Sequence, residues 1–205
     1  MNKLKRKYHK NVRLLFLIGS YQIGGAELHL YKLIKELKNQ IDFSIELILL
    51  SNEFGRYKEL DIPIYQIRTG KHLISIKTFL SILNISRKFR GNVTIIHSFL
   101  NEANFIAGVL RTVMPKTKLI ISKRNQDNWT GIQKFYSMYG NKKSDLVTVN
   151  AKSLIDWFHK VEKIPFLKMK YLPNAVKNQY IEKSKVHSKN EKIKFINVAS
   201  LTPKK

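Results

Sequence analysis

The stretch Val12-Arg13-Leu14-Leu15-Phe16-Leu17-Ile18, followed by Gly19-Ser20-Tyr21-Gln22-Ile23-Gly24-Gly25-Ala26-Glu27, decides how the chain is read. The apolar run is interrupted by Arg13 and is far shorter than the ~18 residues of a membrane span, so it reads as a buried strand. The basic start from Met1 to Lys10 has the superficial look of a signal peptide, but the apolar run passes straight into an amphipathic helix instead of a cleavage site. In that helix, residues 25–38, Ala26, Leu30, Leu33 and Leu37 fall on one face while Lys32, Lys35 and Lys38 point away. Strand, glycine turn and sheet-packing helix make one unit of an α/β fold.

The same alternation continues along the chain. Short apolar runs predict strands at 12–18, 43–50, 64–67, 93–97, 118–122, 146–149 and 170–172. Amphipathic stretches between them predict helices at 25–38, 73–89, 101–113, 131–139 and 151–161. Strands separated by helices imply a parallel sheet with helices on both faces. The segment 73–89 is apolar except for a stripe of Lys77, Ser81, Asn84 and Lys88, which predicts burial on most sides in a crevice rather than a helix lying in a membrane plane. After Pro173 the texture changes: residues 177–192 are rich in Lys, Ser and Asn and read as a linker, and residues 193–199 read as a new strand.

Composition bounds the function. In 205 residues Lys+Arg number 38 against Asp+Glu 14, a formal charge of +24, while 43% hydrophobic residues suffice for a core. With Cys 0 there is no disulfide framework, thiolate metal site or cysteine nucleophile, and the cytoplasm is the expected compartment. The charge suits nucleic acid, an anionic membrane surface or phosphorylated small molecules, and equally a compositional bias toward lysine. Aromatic residues beside cations, as in Lys134-Phe135-Tyr136 and Trp157-Phe158-His159-Lys160, fall at helix-core spacing, and no nucleic-acid motif accompanies them. A nucleic-acid-binding module is therefore the lesser alternative.

The glycine loop is neither a phosphate-binding P-loop, lacking Gly-Lys-Ser/Thr, nor the dinucleotide fingerprint, lacking a third spaced glycine. It offers Gly24 and Gly25 at a helix N-terminus, where free amides and the helix dipole meet a phosphate; a tight structural turn is the competing reading. Glu27 in the first helical turn complements the dipole or touches substrate.

Ile23-Gly24-Gly25-Ala26-Glu27 ahead of a helix, Val93-Thr94-Ile95-Ile96-His97-Ser98 at a later strand, Tyr171-Leu172-Pro173-Asn174-Ala175-Val176 and Phe195-Ile196-Asn197-Val198-Ala199-Ser200 occur in an order that resembles the family-four glycosyltransferases. That resemblance implies a Rossmann-like α/β fold, the N-terminal half of a GT-B glycosyltransferase. It implies an acceptor-side domain over 1–176, a linker over 177–192, and at 193–205 the first strand and loop of a C-terminal donor domain. The family's donor-binding pair, Glu followed eight positions later by Glu, has no counterpart before Lys205, so the chain is expected to be a truncated enzyme, inactive alone. A non-catalytic half-enzyme that binds a partner or membrane is a further alternative.

By resemblance the reaction is sugar transfer with retention from a nucleotide sugar, the co-substrate, to a glycan or lipid-linked acceptor, with no cofactor and no metal. Substrate contact is implied for Gly24, Gly25, Glu27 and His97. After the strand at 118–122, Lys123 and Arg124 stand where many members carry a histidine for the acceptor. Arg124 presents a planar fork suited to phosphate, Trp129 a face for a sugar, and Lys123 and Asn125 complete a polar loop, so an anionic or lipid-phosphate acceptor is expected. Asn174 is expected to fix the turn out of the domain.

Overall fold

Strands β1 Val12–Ile18, β2 Ser44–Leu49, β3 Ile64–Gln66, β4 Val93–Phe99, β5 Lys118–Lys123, β6 Leu146–Val149 and β7 Met169–Tyr171 form one parallel sheet in the order β3-β2-β1-β4-β5-β6-β7. They belong to a computed structural model that describes residues 12–19, 24–40, 43–51, 53–67, 69, 73–89 and 93–174. The linker and further strand expected at 177–192 and 193–205 lie outside these residues, as do the basic start and part of the glycine loop.

The helices are α1 Gly25–Lys38, α2 Ile76–Lys88, α3 Asn101–Val113, α4 Gly131–Lys143 and α5 Ser153–Glu162. Right-handed crossovers decide their sides. The chain starts at β1, moves outward to β3, then crosses back to β4 and continues to β7. Outward steps put Leu30 and Ile34 of α1 against Phe16, Ile18, Leu47 and Leu49 on one face. Steps in the other direction put Ile82 of α2, Ile106 of α3, Tyr136 of α4 and Phe158 of α5 against Leu15, Leu17, Ile96 and Val147 on the opposite face. Parallel strands covered on both sides need apolar residues at successive positions, which is why β1 reads as a run rather than an alternation. Truncating a wholly buried member such as Leu17 to Ala would cost about 2–5 kcal/mol.

Two features depart from the sequence reading. A short 3-10 helix, Gly55–Leu60, lies between β2 and β3 and seats Tyr57 and Leu60 in the α1-side core; its two turns are too short to show a periodicity. The second is α2. It is not buried on most sides: Ile76 is 80% exposed, Leu80 58% and Phe79 52%. Thr78, Ile82 and Ile85 face the core, and Ser75 caps the helix by accepting from the Thr78 amide at 3.2 Å. The helix thus begins three residues later than expected, and only one of its apolar stripes meets the sheet.

The strand order reverses between β1 and β4, where Ile18 pairs with Phe99 at the carboxyl ends. In open α/β sheets ligands bind in the crevice outside such a reversal.

Candidate functional site

Around the carboxyl ends of β1, β4 and β5 the chain gathers most of the residues singled out from sequence. Phe99 is the hub. The His97 ring lies 4.5 Å from it, the His29 ring 6.3 Å, and the Arg124 guanidinium carbon 5.2 Å over its face. Alternation along β4 places His97 and Phe99 on the same side of the sheet, and Arg124 follows the last residue of β5.

Arg124 is held from two directions. Its Nη1 donates to Asn174 Oδ1 at 2.6 Å, and its plane rests on Phe99. Its Nε is buried without a partner among the described residues, so the fork keeps donor capacity. Burial works against its charge, and the carboxylate of Glu27 supports it.

His97 is buried, and its Nε2 shares a hydrogen bond of 2.9 Å with Ser122 Oγ, which meets Thr148 Oγ1 at 2.7 Å. Burial first, then the nearby charges of Arg124 and His29, pull its pKa to about 3. His29, half-buried one turn into α1, is drawn down to about 4 by burial and by Arg124 and Lys32. Both imidazoles are neutral at neutral pH, and Arg124 is the cation between them.

At the start of α1, Gly24 is the cap residue with an extended backbone. A Cβ there would stand 2.4 Å from Glu27 Oε2, so the Glu27 carboxylate folds back over Gly24 at the positive end of the helix. Gly25 is different: a Cβ would meet nothing within 4 Å.

On the other side of Arg124 lies a cleft of about 270 Å³ that includes Arg124, Lys123, Asn125, Asp127 and Trp129 with Leu100, Asn101 and Glu102. Asn125 is exposed and Trp129 half-buried. Lys123, its side chain 6% exposed, contributes its stem, while its ammonium turns inward to Glu162 Oε2 at 2.5 Å and Ser137 Oγ at 2.7 Å. Asn141 Nδ2 and Ser137 Oγ also donate to Glu162 Oε2, at 2.6 and 2.9 Å. Burial pulls Lys123 down and Glu162 holds it up. Gly24, Gly25, Glu27 and His97 are not part of this cleft; Arg124 stands between the two groups.

Several site residues are not singled out by the sequence reading. Leu100, between β4 and α3, has φ 76° and ψ 156°, a region that favours glycine and costs about 1–3 kcal/mol. Asn101 Nδ2 donates to Gln133 Oε1 at 2.8 Å and its carbonyl at 3.0 Å, and Ser98 Oγ donates to Asn104 Oδ1 at 2.7 Å. Those bonds brace the strained turn. His29 lies one helical turn after Gly25, a spacing that places the two on one face and was the available clue. Among the described residues no cluster of His, Asp and Glu has the makings of a metal site, and no helix is long and apolar enough to cross a membrane.

Comparison with solved structures gives the architecture its context. The chain superposes on Anabaena HepE (Alr3699) in complex with UDP-glucose with a TM-score of 0.65 at 14% identity, over 82% of this chain and 45% of that one. Over the matched part the two share a Rossmann-like α/β fold with a parallel sheet. A glycosyltransferase from Rickettsia africae matches at 0.60 and 12% identity, over 82% and 45%. The UDP-GlcNAc 2-epimerase from Methanocaldococcus jannaschii matches at 0.57 and 12%, over 79% and 45%. The chain spans a little under half the length of each of these structures. No protein-family model matches the sequence, and no curated protein matches it.

Proposed function

We propose that this chain forms the acceptor-side wall of a retaining, family-four glycosyltransferase that moves a sugar from a nucleotide-sugar donor to an anionic or lipid-linked glycan acceptor. The supporting observation is Arg124, clamped between Asn174 and Phe99 at the sheet's carboxyl edge with an unpartnered buried Nε. A prepositioned guanidinium flanked by neutral imidazoles favours an anion without the entropy cost of ordering a free side chain. The UDP and UDP-glucose complexes of Anabaena HepE share this fold and support a nucleotide-sugar donor.

In this reading the acceptor's phosphate or carboxylate meets Arg124, and its sugar ring lies against Trp129 and Asn125 in the cleft. The donor's diphosphate approaches Gly24 and Gly25, where the open face of Gly25 lets it reach the helix amides once Glu27, folded over Gly24, swings aside. The bond from the anomeric carbon to the diphosphate breaks, and a bond to the acceptor oxygen forms on the same face; the acceptor proton leaves with the diphosphate. His97, neutral and tied to Ser122, shapes the floor rather than exchanging protons. No bound metal enters the reading. A second Rossmann-like domain supplies the donor pocket, so the 205 residues alone do not turn over, and the reaction runs on the cytoplasmic side of the membrane.

Acceptor-dependent release of nucleoside diphosphate from a panel of nucleotide sugars tests this reading. The chain joined to a donor-binding domain is expected to be active and the chain alone silent. Robust turnover by the chain alone, or none by the joined form with any donor, contradicts it.

A further inference from the structure

Helix α2 carries two apolar stripes, and the sheet uses only one. Thr78, Ile82, Ile85 and Phe89 turn to the core. Ile76, Phe79, Leu80 and Leu83 recur at i, i+3, i+4 and i+7, the spacing of a second helical face, and point away from it. Ile76, Phe79 and Leu80 are more than half exposed, as is Ile74 just before the helix, while Leu83 is partly covered. Large apolar side chains grouped on one face, rather than scattered singly, mark a contact surface.

The charges on this helix have one sign. Lys77, Arg87 and Lys88 are exposed on the same helix, and the sequence contains no acidic residue between Asp61 and Glu102. An anionic bilayer meets both requirements at once: acyl chains for the apolar stripe and headgroups for its cationic flank. The helix also starts on the edge of the sheet where β3 ends, so Ile74, Ile76, Phe79 and Leu80 lie toward the carboxyl edge that holds Arg124.

We infer that the outward stripe of α2, Ile76, Phe79, Leu80 and Leu83, docks this protein on an anionic lipid bilayer. Docking there brings the protein to the surface that would carry the lipid-linked acceptor of the proposed function, although membrane contact itself requires neither acceptor nor donor. The contribution of the stripe is separable from that of the overall charge: charge gives attraction that salt screens, and the stripe gives insertion that salt leaves in place.

The purified chain is floated with phosphatidylcholine vesicles that contain or lack phosphatidylglycerol, at low and high salt. Wild type is expected to float with the anionic vesicles and to keep part of that binding at high salt. Phe79→Ser/Leu80→Ser should lower the bound fraction about tenfold without lowering the thermal midpoint, since both side chains are exposed. Ile132→Ser/Met138→Ser, which removes exposed apolar side chains from α4, should leave it unchanged. Equal flotation of wild type and the α2 double variant, or no flotation with either vesicle, overturns the inference. A dimer in light scattering that the α2 substitutions convert to monomer also overturns it, assigning the stripe to a second copy of the chain. Flotation reads no sugar transfer, so its failure leaves the reading of Arg124 untouched.

Discussion

Arg124 and Asn174 are 50 positions apart, yet the Nη1 of one donates to the Oδ1 of the other at 2.6 Å. Asn174 follows the last strand of the sheet, and Arg124 follows β5, so the hydrogen bond ties the exit of the domain to the candidate site. This bond is solvent-exposed, so its net contribution is about 0.5–1.5 kcal/mol. Asn174→Ala should therefore weaken binding of an alkyl phosphate by roughly three- to tenfold, through a looser Arg124, with little change in thermal midpoint. Isothermal titration of both proteins with hexyl phosphate checks this; an unchanged affinity would show that Arg124 needs no brace.

The Lys123–Glu162 pair is almost wholly buried and shares its carboxylate with Ser137 and Asn141. Removing one partner of such a pair leaves a charge stranded in low dielectric, at about 3–5 kcal/mol. Glu162→Gln should destabilise the fold by about that amount in urea denaturation. Lys123→Met/Glu162→Leu should recover most of the loss, because neither charge then needs desolvating. Recovery would mark Lys123 as a structural residue of β5; a double variant as unstable as the single one would mean that the hydroxyl and amide around the pair also require it.

Acid should unfold the protein through its histidines. His97 binds a proton with a pKa near 6.5 when unfolded and about 3 when folded, and His29 near 6.5 and about 4. Between those limits the unfolded state holds more protons, so stability is full above pH ~6.5 and falls as pH drops toward the folded values. Each pH unit costs about 1.4 kcal/mol for His97, or about 2 kcal/mol by pH 5, and less for the more exposed His29. Thermal midpoints from pH 7.5 to 4.5 for wild type and His97→Gln test the sign: the variant should show a shallower fall. Parallel curves would place the acid sensitivity elsewhere.

Gly25→Val should spare the fold and impair the donor step. The added Cβ enters open space, and Gly25 is not among the glycines with positive φ, so the backbone needs no left-handed freedom there. The thermal midpoint should move by no more than a few tenths of a kcal/mol in stability. Turnover of the joined two-domain form should fall at least tenfold, because the β-branched side chain stands where a diphosphate must reach the amides. Wild-type turnover in that variant would remove Gly25 from the site.

How much of this was legible in the sequence depended on whether the deciding contact was local. Residues 12–18 and 25–38 were bounded correctly because a buried parallel strand and an amphipathic helix each declare themselves by period. In α2 the period was visible but its meaning was not: two apolar stripes look alike in sequence, and only the position of the sheet says which is covered. Lys123 and Arg124 appeared as one basic pair, although neighbours at a strand end point to opposite sides. The partner that claims Lys123, Glu162, lies 39 positions away and carries no signal of its own. His29 and Leu100 were missed for the same reason, since a ring one turn into a helix and a strained φ become visible only once the strand ends converge.

Recognition of an anion by Arg124 is read most directly by titrating hexyl phosphate and hexanol into wild type and Arg124→Gln while following amide shifts by NMR. Wild type should bind the phosphate and not the alcohol, with shifts centred on the turn after β5, Asn174 and the start of α1, and Arg124→Gln should lose at least tenfold in affinity while keeping its spectrum elsewhere. Equal affinity of the two proteins for the phosphate, or shifts confined to surface lysines, would contradict the assignment of this site to an anionic acceptor.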